Sequence, residues 1–196
     1  MFNLQQIKGT IENVNGVNFE LIIPRQEIEA RFIELAQQIK DDYVFIKSEE
    51  PPLLLIENLM GGSFTSKDLA RAMNLVGAPY NMDAVDFKRF EADEHGSEEL
   101  RVYKNPSASP LKDRHALIIE DVIELGITLK FAKNFLKAWK FKSIKILALG
   151  WKKTMSPKFK VDYCGFELPK EWLIGEGMDN NQLERGRLGI WRKITL

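Results

Sequence analysis

Cysteine and histidine are almost missing from this chain: Cys164, His95 and His115 are all there is in 196 residues. One thiol cannot form an internal disulfide, and no second thiol stands at metal-ligand spacing, so a reducing compartment, the cytoplasm, is expected. The two histidines form neither a metal pair nor part of a Ser-His-Asp arrangement by their spacing, which leaves no case for zinc or acyl-transfer chemistry. An excess of charge is missing too. Lys plus Arg and Asp plus Glu stand at 28 each, so there is no general footprint for nucleic acid or an anionic membrane, and any phosphate recognition must be local. No stretch approaches the roughly 20 apolar residues of a membrane helix, and Met1 to Gln6 lack a basic region followed by an apolar run; a soluble, unprocessed protein is expected. Internal repeats and low-complexity linkers are absent, and the length suits one domain spanning 1–196.

What is present alternates between strand and helix patterns. Residues 17–24 read as a strand ending at Pro24, followed by Ile28, Phe32, Leu35, Ala36 and Ile39 at helical spacing. Leu53 to Ile56 is a continuous apolar run, as expected of a parallel strand covered on both faces, and Gly61-Gly62 ends it. Leu69, Ala72, Met73 and Val76 mark a second helix, with Ser63, Thr65 or Ser66 as candidate N-caps. Residues 80–90 and 98–103 flank a polar stretch, 92–97, and read as a long hairpin or flap. Ala116 to Ile119 and Ser143 to Leu149 are buried strands joined by a helix bearing Leu129, Phe131, Ala132, Phe135, Leu136 and Trp139, a βαβ unit. From Tyr163 on, short extended pieces divided by Pro169, Gly175, Gly177 and Gly186 read as a small hood shared with the N-terminal segment. The expected fold class is α/β: a mostly parallel central sheet flanked by helices, whose ligand lies beyond the carboxyl ends of the strands.

The most informative segment is Ile118-Ile119-Glu120-Asp121-Val122-Ile123-Glu124-Leu125-Gly126-Ile127-Thr128. It reads as an apolar strand that delivers two carboxylates at its end and turns through a glycine loop into a helix. The first N–H groups of that helix lack partners and lie at the positive end of its dipole, so the loop can hold a phosphate. Glu120 and Asp121 beside it can accept from sugar hydroxyls or help hold Mg²⁺ through water.

This string resembles the phosphoribosyl-diphosphate motif of the type I phosphoribosyltransferases, specifically the hypoxanthine-guanine branch. Leu21-Ile22-Ile23-Pro24, Leu59-Met60-Gly61-Gly62, residues 162–169, Trp172-Leu173-Ile174-Gly175, Asp179 and Arg185 extend the resemblance over nearly the whole chain. The resemblance implies that Glu120 and Asp121 bind ribose, that Leu125, Gly126, Ile127 and Thr128 hold the 5′-phosphate, and that Glu124 is the general base at the purine N7 proton. It implies a pyrophosphate loop at Met60, Gly61 and Gly62, with a cis Leu59–Met60 bond, and Arg185 as its cationic partner. Trp172 would stack on the purine, Leu173 would offer backbone groups to its edge, and Val122 or Ile123 would pack on the other face. Lys152, with Lys153 as the fallback, would donate to a 6-oxo group, which opposes adenine. Glu120, Asp121 and Asp179 form the implied metal set.

Four departures from the family pattern cover five positions: Met60 stands for lysine, Glu124 for aspartate, Leu125 for threonine, and Arg89-Phe90 for a Ser-Tyr pair at the flap. The implied function is Mg²⁺-dependent transfer of 5-phosphoribosyl from phosphoribosyl diphosphate to hypoxanthine or guanine, giving IMP or GMP and pyrophosphate. The departures motivate an alternative, a catalytically weak or inactive purine-nucleotide-binding regulator; a third is the same fold acting on another base. A homodimer or homotetramer is implied by resemblance alone, and Cys164 reads as packing.

Overall fold

The computed structural model describes residues 6–44, 50–91 and 98–195, without the side chains of 88–91, 98 and 99. The tip of the expected flap at 92–97, His95, and the side chains of Arg89 and Phe90 therefore lie outside the described residues.

The described residues form two sheets. The larger contains β3 (Leu53–Asn58), β4 (Tyr80–Glu91), β5 (Glu98–Lys104), β6 (His115–Ile123), β7 (Ser143–Trp151) and β8 (Tyr163–Glu167), in the order β5-β4-β3-β6-β7-β8. Every neighbouring pair is parallel except β4 and β5, which form the expected hairpin. The smaller sheet is the hood, β1 (Ile11–Val14), β2 (Val17–Ile23), β9 (Leu173–Ile174) and β10 (Ile190–Ile194), antiparallel in the order β1-β2-β10-β9. It joins the two ends of the chain, as the short tail segments suggested.

The central strands carry continuous apolar runs, Leu53–Ile56, Ala116–Ile119 and Ile146–Leu149, because both faces are covered there. Leu55, Leu117, Ile119, Leu147 and Leu149 face one core, which also holds Ile28, Phe32, Leu35, Ala36 and Ile39 of α1 (Arg25–Asp42) and Leu69, Ala72 and Met73 of α2 (Gly62–Val76). Their neighbours Leu54, Ile56, Ala116, Ile118, Ile146 and Ala148 face the other, against Leu129, Ala132 and Leu136 of α3 (Ile127–Leu136). This is the two-residue period of a strand read out on opposite faces.

Two local expectations are corrected. Ser63, Thr65 and Ser66 do not cap α2, which starts at Gly62 with Gly61 in the N-cap position and no side-chain cap; Thr65 and Ser66 are buried within the helix instead. The acids also do not close β6. Its pairing with β3 stops at Ile119, whereas pairing with β7 continues to Ile123 opposite Trp151. The strand thus carries Glu120 and Asp121 past the end of one neighbour, and a cleft opens where strand order reverses between β3 and β6.

Candidate active site

That cleft encloses about 300 Å³ and is lined from four segments: Leu59 to Gly61; Glu120, Asp121, Val122 and Glu124; Lys152; and Trp172, Leu173, Met178, Asp179 and Arg185, with the expected phosphate loop 125–128 outside this lining. Its floor is the acid pair. Glu120 and Asp121 are 9% and 8% exposed. The Glu120 carboxylate accepts from Asn58 Nδ2 at 2.8 Å and Asp121 accepts from the Val122 N–H at 2.7 Å. Burial, reinforced by the facing Asp121 charge, pushes the Glu120 carboxyl well above the usual range, and burial also raises Asp121 against the pull of Arg185. Two buried like charges with few donors suit a cationic or hydroxyl-bearing ligand.

Beyond the floor the chain turns through Gly126, at φ +70°, into α3. A Cβ there would meet the Phe159 ring at 2.3 Å, so only glycine fits both the backbone and the packing. Among the described residues, the N–H groups of Leu125, Gly126, Ile127 and Thr128 find no acceptor in the protein. Leu125 and Ile127 turn outward, 46% and 39% exposed, and Thr128 is half-buried in the first helical turn. The loop therefore offers main-chain donors and one hydroxyl to an anion, and no charged side chain.

On the next wall, Lys152 has 4% of its side chain exposed and meets Glu124 Oε1 at 2.5 Å. Its backbone N–H is bound to Ile123 O at 2.8 Å, which places it at the end of β7 beside the acid loop. Lys153 turns away to Glu167 at 2.6 Å and over the Trp151 ring, so Lys152 is the lysine that lines the cleft. Trp172 is 52% exposed at the rim, with Leu173 buried behind it. Ile123 is not in the cleft: it is 1% exposed in the core on the α3 side, and Val122 lines the wall. Because β6 continues through these positions, successive side chains take opposite faces, so only one of the two can face the ligand.

The side where the resemblance puts pyrophosphate combines Met60, exposed, with Met178, Asp179 and Arg185. The Leu59–Met60 bond is cis. Gly61 packs so closely that a Cβ would fall 2.1 Å from Asp121 Oδ2, and at Gly62 one would fall 2.6 Å from Ile119 O; Gly62 itself does not line the cleft. Arg185 binds Asp179 at 2.7 Å and Gly177 O at 2.7 Å. The three implied metal carboxylates share the cleft, yet among the described residues no three His, Cys, Asp or Glu groups converge to cage an ion. Mg²⁺ does not require a cage, since it commonly uses one or two carboxylates, waters and substrate phosphates.

Sequence reasoning missed Asn58, the donor that holds Glu120, and Met178, which lines the cleft. Asn58 carried a signal, a polar residue ending an apolar strand. Met178 carried none. His115 is buried at the opposite end of β6, its Nδ1 2.6 Å from Ser143 Oγ, with burial lowering its pKa. Cys164 is half-buried with burial raising its thiol, in keeping with a packing role. No helix among the described residues is long and apolar enough to cross a membrane.

Residues 22–181 match the family model for the phosphoribosyl transferase domain. The chain belongs to the phosphoribosyltransferase family. Within it, the chain is 33% identical to a hypoxanthine-guanine phosphoribosyltransferase of Crithidia fasciculata over 79% of this chain and 75% of that protein. It is 28% identical to the hypoxanthine phosphoribosyltransferase of Haemophilus influenzae over 90% of this chain and 96% of the other. A solved ternary substrate complex of a lysine-to-arginine mutant of the Trypanosoma cruzi hypoxanthine phosphoribosyltransferase superposes with a TM-score of 0.81 at 25% identity, covering 89% and 94% of the two chains. The type I phosphoribosyltransferase fold expected above is the observed one.

Proposed function

We propose that this phosphoribosyltransferase is a purine salvage enzyme that transfers the 5-phosphoribosyl group from phosphoribosyl diphosphate to hypoxanthine or guanine, releasing pyrophosphate and IMP or GMP. The observation that carries this reading is the meeting, in one cleft, of a buried acid pair, a buried lysine and an open indole, with a loop of N–H groups that have no acceptor among the described residues following directly after Glu124 of the lining. The names of the relatives point the same way.

The 5′-phosphate takes the N–H groups of Leu125 to Thr128 and the Thr128 hydroxyl, the ribose hydroxyls donate to Glu120 and Asp121, and the purine stacks on Trp172 with Val122 beneath and Leu173 at its edge. Lys152 donates to the 6-oxo group; an ammonium cannot accept from the amino group of adenine. Glu124 takes up the proton at N7. Arg185 and the Met60–Gly62 loop hold the departing pyrophosphate. A magnesium ion fits the oxygen donors of Glu120, Asp121 and Asp179, and when bound supplies neutralising charge to the pyrophosphate. Sheet and hood together form the single catalytic domain, working in the cytoplasm as a homodimer or homotetramer.

A second reading, a regulator that binds purine nucleotides without turnover, draws on one observation: the Glu124 carboxylate is held by Lys152 rather than facing the cleft alone. Steady-state assays with hypoxanthine, guanine, xanthine and adenine, each with phosphoribosyl diphosphate and Mg²⁺, separate the readings. Turnover of the 6-oxopurines and not of adenine is expected. Folded protein that binds GMP but forms neither IMP nor GMP is the regulator.

A further inference from the structure

Outside the lining of the cleft lies a buried ion cluster that no step above uses. Arg25 opens α1, and its guanidinium Nη1 donates to Glu176 Oε2 at 2.8 Å and to the Asp68 carboxylate, while Nε meets Glu29 at 3.0 Å. Asp68 and Glu176 have only 9% and 4% of their side chains exposed, and Arg25 16%. The second Glu176 oxygen accepts the Gly189 N–H at 2.7 Å. Burying two acids is costly unless a cation and donors satisfy them. Here one nitrogen, Arg25 Nη1, reaches both, while Asp68 also accepts from the exposed Arg71 at 3.0 Å.

The two acids lie on the two segments that continue from opposite walls of the proposed pyrophosphate side. Asp68 is in α2, which springs directly from Gly61 and Gly62. Glu176 sits in the hood turn that leads to Asp179 and Arg185. Its neighbour Gly177 is where that turn touches the floor: at φ +106°, a Cβ on Gly177 would fall 2.4 Å from Gly61 O and 3.1 Å from Asp121 Cβ. Gly177 also exchanges hydrogen bonds with Arg185, its N–H donating to Arg185 O at 2.9 Å and its carbonyl accepting Arg185 Nη1 at 2.7 Å. The chain of contacts from Arg25 to the Arg185 guanidinium therefore passes through adjacent residues and one backbone pair.

We propose that Arg25 is a positioning residue for pyrophosphate: by bridging Asp68 and Glu176 it sets the spacing between the Met60–Gly62 loop and the turn that presents Asp179 and Arg185. The proposal rests on the reaction assigned above and concerns only its diphosphate half. The purine wall, Lys152 and Trp172, is not in contact with the cluster.

Two variants, Arg25→Met and Glu176→Gln, test this. Because misplacement of a positioning group by about 1 Å can cost up to ~100-fold, the KM for phosphoribosyl diphosphate, and for pyrophosphate in the reverse direction, should rise about tenfold or more while the KM for hypoxanthine stays within about twofold. A purely structural role would lower the melting temperature and the active fraction without splitting the two KM values, and that result overturns the proposal. Where Arg25→Met does not fold, Glu176→Gln, which keeps the shape and removes the charge, decides by the same ratio. Calorimetric titration with magnesium pyrophosphate gives a readout independent of turnover. Unchanged affinity in the variants sinks the positioning role, whereas weakened affinity in a protein whose wild type turns over no purine keeps it and overturns the assigned reaction instead.

Discussion

Glu124 and Lys152 meet at the end of β6 and β7, and the proposed chemistry rests on both. Glutamate is one methylene longer than the aspartate common in the family, and it uses that length to reach Lys152 at 2.5 Å. The contact joins the group assigned to the N7 proton with the group assigned to the 6-oxo oxygen, an acceptor and a donor side by side. Removing the carboxylate charge should therefore strike the chemical step. Glu124→Gln is expected to lower kcat by about 10²-fold, the low end for a general base, measured as IMP formation at saturating substrates. A loss of less than about threefold would take the base role from Glu124.

The acid floor makes a different prediction, about stability. The Glu120 carboxyl is raised well above its ordinary value by burial and then by the Asp121 charge. A carboxyl whose folded pKa exceeds its unfolded one contributes stability that is fully present below the unfolded value and is lost as pH rises through the folded value. Glu120→Gln keeps an acceptor for Asn58 and removes the titration. Ligand-free, this variant should melt close to wild type in acid, below the ordinary glutamate range, and increasingly above it as the pH rises beyond that range, while losing activity. Melting curves that stay parallel throughout would show that Glu120 carries no such strain.

At the scale of elements, α3 is built against the usual preference. Helices favour acids near the N-terminus, yet its first turn holds none, and Lys130 stands there instead. From Leu125 to Val161 the chain carries ten lysines and no acid, although its overall charge is balanced. Lys158 and Lys160 flank Phe159, whose ring packs on Gly126 of the anion loop. Among the described residues, Lys130, Lys158 and Lys160 form no ion pair. Their field should draw a highly charged substrate toward a loop whose own side chains at Leu125 and Ile127 are apolar. Lys130→Gln combined with Lys158→Gln and Lys160→Gln should lower kcat/KM for phosphoribosyl diphosphate several-fold at low salt and flatten its dependence on ionic strength. An unaltered salt dependence would remove the lysines from substrate capture.

The molecule as a whole closes its site with pieces from both chain ends. The hood strand β10 pairs with β2, and β9 brings Leu173 beside Trp172 at the rim. Because the cleft is bounded by hood and sheet together, a bound nucleotide should couple them. GMP at about 100 times its Kd should stabilise the protein by about 2.7 kcal/mol, read as a rise in melting temperature. Hydrogen exchange should slow in residues 175–187 as well as in 120–128. Protection confined to one of those segments would mean that the hood does not close on the nucleotide.

The amino-acid sequence by itself determined the alternation of strands and helices, the buried faces of α1 and the central strands, the glycine-marked loop into α3, and the adjacency of Glu120 and Asp121. These are local matters: apolar periodicity and glycine at a left-handed turn are readable wherever neighbours along the chain decide the outcome. The tertiary structure alone decided the rest. It chose Val122 over Ile123 and Lys152 over Lys153 by the register of β6 against β7. It began α2 at the glycine loop without a side-chain cap, and it brought Arg25, Asp68 and Glu176 together from positions up to 151 residues apart. Charge pairing across such separations depends on how helices and hood pack on the sheet, and no spacing within the chain encodes it.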